Sequence, residues 1–211
     1  MKNGLLNFAG AFATIALSWT GVVLSAHRQL GGLKQFKDPI EESLAPVPLT
    51  GLADQGRAVY QDLGCVSCHT QQVRREGFGS DIARQWGTRQ SVARDYIREK
   101  TVLIGSSRLG PDLRNVGARG YANAEYFYNL LYSPERIAAG MPAYKFLFDV
   151  HKAIPGQVSN RALKVTSDGY EIVPTRRAEA LVAYLQSLKD TYEYPEAKPF
   201  VETPEKKEGG K

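Results

Sequence analysis

Gly64-Cys65-Val66-Ser67-Cys68-His69 is the stretch on which the fold turns. Its last five residues are C-x-x-C-H, the attachment sequence of a c-type haem. Two thiols one helical turn apart can each bond one vinyl group of the same macrocycle, and the next residue's imidazole then stands over the iron as an axial ligand. These two cysteines are the whole cysteine content of 211 residues, so a disulfide-rich scaffold is excluded. Three other readings compete. A thioredoxin-like dithiol follows a strand and opens a helix, whereas this pair follows a helical pattern. A tetrahedral zinc site needs further cysteines or closely spaced histidines, and His27 and His151 are far from His69 along the chain. Chance is the third. Haem attachment uses all three residues, making Cys65, Cys68 and His69 cofactor-binding, His69 a metal ligand and one covalently bound haem c the cofactor.

Such an iron takes a second axial ligand or keeps an open site. Beyond Met1 the chain has a single methionine, Met141, whose soft thioether favours ferrous iron and raises the potential. It lies in Gly140-Met141-Pro142-Ala143-Tyr144, where Gly140 is free to turn and Pro142 stiffens the backbone. The competing fates are core filler for Met141 and ligation by His151 instead. A ligating histidine donates its other ring N–H to a carbonyl. Pro111, in Gly110-Pro111-Asp112-Leu113, is the candidate acceptor, and the same Gly-Pro reads equally as a plain turn.

Before Gly64, Leu52, Val59, Tyr60 and Leu63 mark the apolar stripe of a helix over 50–63 with Thr50 or Asp54 as cap. After the motif, a short helix is expected near 91–100 and another near 123–132. Residues 149–174 read as irregular or briefly extended, ending in Tyr170-Glu171-Ile172-Val173. A terminal helix over 175–189 carries Ala178, Leu181, Val182, Leu185 and Leu188 on one face.

Gly4–Ala26 is 23 residues without a formal charge. As a helix it spans about 34 Å, enough for a hydrocarbon core of about 30 Å. Small residues within it allow another membrane helix to approach closely. A cleaved signal peptide is the alternative, but the stretch is longer than a usual signal core, so a retained anchor is expected. Either reading exports the rest of the chain, and lysine and arginine counts do not orient the segment. The chain thus divides into an anchor (1–28), a linker with three prolines (29–49), a haem domain (50–190, with insertions about 71–104 and 149–174) and a flexible tail (191–211).

With 43% hydrophobic and 23% charged residues the composition is that of a globular protein. A mean hydropathy of −0.33 excludes a polytopic membrane protein. The net charge of +5 equals the balance of residues 70–120 alone, ten lysines and arginines against five acids. One of these arginines beside a haem propionate would form a bidentate pair. Arg108 is the candidate, because it precedes the Gly110-Pro111 turn. The rest would dock an acidic partner surface or form a solvated face. Nucleic acid is not an expected partner, because aromatic interleaving is sparse.

The order of these pieces resembles class I cytochromes c: a helix before C-x-x-C-H, the Gly110-Pro111-Asp112-Leu113 turn, the Met141-Pro142 loop and a last helix containing Ala180-Leu181-Val182-Ala183-Tyr184-Leu185. The resemblance implies a mostly α fold in which first and last helices cross near Gly56 and Tyr60 against Tyr184. Four features narrow it to the mono-haem subunit (subunit II, FixO/CcoO family) of cbb(3)-type oxidases over roughly residues 1–148. These are the anchored amino terminus, Cys68-His69-Thr70-Gln71 with Val73-Arg74, Leu103-Ile104-Gly105 before Arg108-Leu109-Gly110-Pro111, and Met141-Pro142-Ala143-Tyr144. The chain departs from that pattern at Lys145-Phe146, where Pro-Trp is usual, and in residues 149–174.

What the resemblance implies is a membrane-anchored relay of single electrons, not catalytic alone. Electrons would enter from a further cytochrome c subunit or soluble cytochrome and leave toward a membrane-embedded haem–copper catalytic subunit. The haem domain would lie on the periplasmic side of a bacterial inner membrane, with Met1–Asn3 cytoplasmic. Alternatives are a subunit of a nitric oxide reductase or quinol-oxidising complex, or a haem-based ligand sensor.

Overall fold

The computed structural model describes residues 3–39, 42–138, 140–154, 156, 158–166 and 168–198, so Met1, Lys2 and residues 199–211 of the expected tail lie outside the described residues. Gly4–Leu30 form one helix, α1, with a π-type turn at Thr20–Leu24. Leu5, Phe8, Phe12, Ile15, Leu17 and Trp19 are exposed along it, and none of its apolar window is buried by the rest of the chain. Among the described residues it is the one helix long and apolar enough to cross a membrane. Helical hydrogen bonding lets such a segment enter hydrocarbon with its backbone satisfied, so α1 fits a single transmembrane anchor.

The remainder is organised by two crossing helices. Helix α2 (Gly51–Asp62) buries Gly56, Val59 and Tyr60 and stops where Gly64 takes a left-handed φ of 70°, a conformation glycine adopts at little cost. A third helix, α3 (Ala124–Tyr132), is capped by Asn123, whose side-chain oxygen accepts from Tyr126 N at 2.8 Å. The last, α4 (Arg176–Ser187), starts at Thr175, whose hydroxyl accepts from Ala178 N, and buries Ala178, Ala180, Leu181, Val182, Tyr184 and Leu185. A Cβ on Gly56 would lie 1.8 Å from the Ala180 carbonyl oxygen. The crossing of α2 and α4 therefore needs a bare α-carbon there. Tyr60 and Tyr184 meet edge to face beside it, 5.5 Å between ring centres, and α3 adds Phe127 and Leu131 to the same core.

Three segments differ from what local sequence suggests. Residues 91–100 contain only a short 3-10 turn, Ala93–Tyr96. The Asp95 carboxylate is turned inward, accepting from Val92 N at the start of that turn and pairing with Arg89. Residues 149–174 take the extended alternative, over more of their length than the stretch Tyr170-Glu171-Ile172-Val173. Strand β3 (Phe148–Lys152) pairs antiparallel with β5 (Tyr170–Pro174), and β4 (Lys164–Val165) pairs with the other edge of β5. Phe148, Ile172 and Val173 thereby reach the core, which no single short strand achieves alone. Residues 191–198, expected as the start of a free tail, carry the fully buried Tyr194. It packs with Ala45 and Ala197 into a second small core beside the hairpin β1 (Phe36–Lys37) and β2 (Leu44–Ala45) of the expected linker.

The arginine-rich segment is held by internal ion pairs. Fully buried Asp81 takes both Arg74 and Arg108, Asp95 takes Arg89, and buried Arg114 joins Glu99 to Asp190 while donating to the Asp95 carbonyl at 2.7 Å. Removing one partner from such a buried set leaves an uncompensated charge. These arginines therefore organise the chain itself and are not a solvated face.

Candidate functional site

Cys65 opens a short 3-10 turn, Cys65–Ser67, directly after Gly64, so the C-x-x-C-H segment leaves α2 as a compact turn with both cysteines free and partly buried. The residues after it are laced to 103–113 by backbone hydrogen bonds. Gly110 N donates to Cys68 O at 3.0 Å, Gln71 N to Leu103 O at 2.9 Å and Leu113 N to Thr70 O at 2.8 Å. From α2, the Tyr60 hydroxyl donates to the His69 carbonyl at 3.2 Å, and from α4 the Tyr184 hydroxyl donates to buried Gln71 Oε1 at 2.9 Å. The motif thus sits on the helix crossing that organises the fold.

His69 Nδ1 lies 2.9 Å from the Pro111 carbonyl oxygen. With the proton on Nδ1, the ring's Nε2 keeps its lone pair for a metal. Burial pulls the His69 pKa down, the Pro111 carbonyl opposes this, and the charge of Arg119 adds to the downward shift. The ring is therefore neutral at physiological pH, the form that ligates. Gly110 forms the floor against which the ring lies: a Cβ there would meet His69 Cε1 at 2.2 Å.

Burial pushes the Cys65 thiol up to about 11, with the Tyr144 hydroxyl as its hydrogen-bond partner. A redox dithiol or zinc thiolate needs the opposite shift. Tyr144 also brings the Met141 loop to the cysteines. Its amide donates to Leu131 O of α3 at 2.8 Å, Gly140 turns the chain with φ of 91°, and partly buried Met141 packs against the main core. His151 is elsewhere, exposed on β3 with Nε2 3.7 Å from Glu171, and His27 lies on α1 against Gly31.

Arg108 is bound at both ends, Nη2 to Asp81 at 2.6 Å and Nη1 to the Gln72 carbonyl at 3.2 Å. Arg119, which the sequence does not set apart from its basic neighbours, has a buried Nε–H with no hydrogen-bond acceptor while its Nη2 donates to the Asp112 carbonyl. An unmatched buried cationic N–H beside an iron-ligand candidate calls for an anion. Only the folded chain reveals this, because the signal is a missing partner. Leu109, next to Gly110, is 81% exposed, an apolar surface beside the same ring. The paired thiols, the oriented imidazole, the bare Gly110 and the unmatched Arg119 together fit a haem with two vinyl groups, an iron and carboxylate substituents.

Comparison with known proteins gives one family: the model described as "Cytochrome C oxidase, mono-heme subunit/FixO" matches residues 14–171. The match continues past residue 148, so it takes in β3, β4 and the first residues of β5. No curated protein matches the chain.

Proposed function

Because the chain belongs to the FixO family of mono-haem cytochrome c oxidase subunits, we propose that it is a membrane-anchored relay passing single electrons toward the haem–copper catalytic subunit of a dioxygen-reducing oxidase. When bound, the haem supplies a reversible one-electron couple, and a histidine–methionine ligand pair raises its potential. The protein's own part is to fix and insulate that group. Cys65 and Cys68 tether it through thioethers. His69 and Met141 would ligate its iron, and the Pro111 carbonyl holds the His69 ring in the tautomer and direction that ligation needs.

Arg119 is better suited than Arg108 to receive a haem carboxylate, since Arg108 already has Asp81. Electrons enter from a further cytochrome c subunit or a soluble cytochrome. The haem domain faces the periplasm of a bacterial inner membrane, the side on which covalent haem attachment takes place, and α1 packs beside the catalytic subunit within the bilayer.

The observation that carries the reading is the His69 ring held between the Pro111 carbonyl and the bare Gly110, directly after paired cysteines. Its test is Met141→Ala in the haem-loaded full chain. The ferric sulfur–iron band in the near infrared should vanish and the midpoint potential should fall. Retention of both would refute Met141 as ligand.

A further inference from the structure

Within the arginine-rich segment, Arg89, Arg94 and Arg98 have no part in an electron relay. Their contacts reach away from the haem motif, toward the membrane end of the chain. Arg94 donates through Nη1 to the Lys34 carbonyl and through Nε to Glu196, and Arg98 donates to the Gln35 side chain. Gln35 in turn donates to the Pro46 carbonyl at 2.9 Å. Arg89 donates to the Tyr192 carbonyl and lies over the Tyr194 ring, 4.7 Å from its centre. Phe36 meets the same ring edge on at 5.7 Å, and Tyr194 and Ala45 are 0% and 2% exposed.

The stalk between anchor and haem domain therefore has almost no free length. The last turn of α1 runs on through Gly31 N to His27 O and Leu33 N to Leu30 O, and the next residue, Lys34, is already held by Arg94. We propose that Arg89, Arg94 and Tyr194 are positioning residues. They clasp the stalk (residues 34–39 and 42–46) and the carboxy-terminal segment (190–198) onto the haem domain, so that the domain keeps one height and orientation over the membrane. Were the clasp open, residues 31–49 would behave as a tether, and the distance from haem to a partner's cofactor would be scattered accordingly.

The role belongs to the Tyr194 ring and not its hydroxyl, because the buried Oη has no hydrogen-bond partner. That separates two substitutions. Nitroxides on Leu30→Cys, at the end of α1, and Glu125→Cys, at the exposed start of α3, report the distance between anchor and haem domain by pulsed electron resonance. The measurement uses the haem-loaded full chain in lipid nanodiscs. The native chain and Tyr194→Phe should give the same narrow distribution. Tyr194→Ala and Arg94→Gln should widen it by about twofold or more, as expected of a released tether, while the haem spectrum and midpoint potential stay unchanged.

A broad native distribution would overturn the proposal, as would an unchanged width in Arg94→Gln, which decides the matter alone if Tyr194→Ala does not accumulate. The proposal rests on α1 lying in the bilayer but not on which group exchanges electrons with the haem. Failure of the Met141 test would therefore leave it standing.

Discussion

Replacing Gly110 with alanine places one methyl group where the His69 ring lies. A Cβ on Gly110 falls 2.2 Å from His69 Cε1 and 2.5 Å from Nδ1, whereas ordinary contact begins at 3.4 Å. The ring must therefore retreat by 3.4 − 2.2 = 1.2 Å. A shift of that size takes the 2.9 Å bond to the Pro111 carbonyl out of hydrogen-bonding range. Two effects oppose each other. Gly110 is not among the glycines with positive φ, so alanine gains about 0.4–1 kcal/mol by restricting the unfolded chain. Against this stand about 1–3 kcal/mol for overpacking and about 0.5–1.5 kcal/mol for the lost hydrogen bond. The clash wins, with a net destabilisation of about 0.5–4 kcal/mol.

Urea unfolding of the haem-loaded protein measures that loss, and the ferric absorption and electron resonance spectra report the turned imidazole. If Gly110→Ala is as stable as the native protein or more so, with unchanged spectra, the ring does not lie on a glycine floor and the argument for an oriented His69 fails.

Two further outcomes are expected. Gly56→Ala should cost more than Gly110→Ala, because the methyl would meet the Ala180 carbonyl at 1.8 Å, and backbone cannot swing aside as a ring can. The helix-propensity gain of about 1 kcal/mol does not offset parting α2 from α4, and a Tm equal to or above the native value would contradict the crossing geometry. Asp190 is pushed up to about 6, chiefly by burial, which the Arg114 charge only partly offsets. A raised carboxyl pKa means the folded state binds more protons than the unfolded state between about pH 4 and 6, so this group's contribution falls as pH rises through that window and is level above it. Relative to Asp190→Asn, the native protein should therefore be more stable at pH 4 than at pH 7, by at most about 2.7 kcal/mol. Unfolding free energies at the two pH values check the sign, and the opposite slope would mean that Arg114 dominates.

The features legible from the chain alone are those whose signal is local. C-x-x-C-H stands out as a haem-attachment candidate because both thiols and the imidazole lie within five residues. The uncharged run to Ala26 is a matter of length against bilayer thickness, and α2, α3 and α4 are readable because a 3.6-residue apolar period lies within each, with a cap at the start of α3 and α4 but no side-chain cap bond from Thr50 at α2. The α2–α4 crossing is anticipated too, but through the resemblance to class I cytochromes c and not by a local signal. The features that needed the folded molecule depend on groups brought together from far apart in the chain. Asp81 takes Arg108 across 27 residues, β3 pairs with β5 in a register no local alternation specifies, and Tyr194 turns the expected tail and linker into a second core. The same holds for the arginines. Composition counts charges, but whether a guanidinium faces water, a buried carboxylate or, as at Arg119 Nε, no acceptor at all is settled only when the chain closes around it and desolvates it.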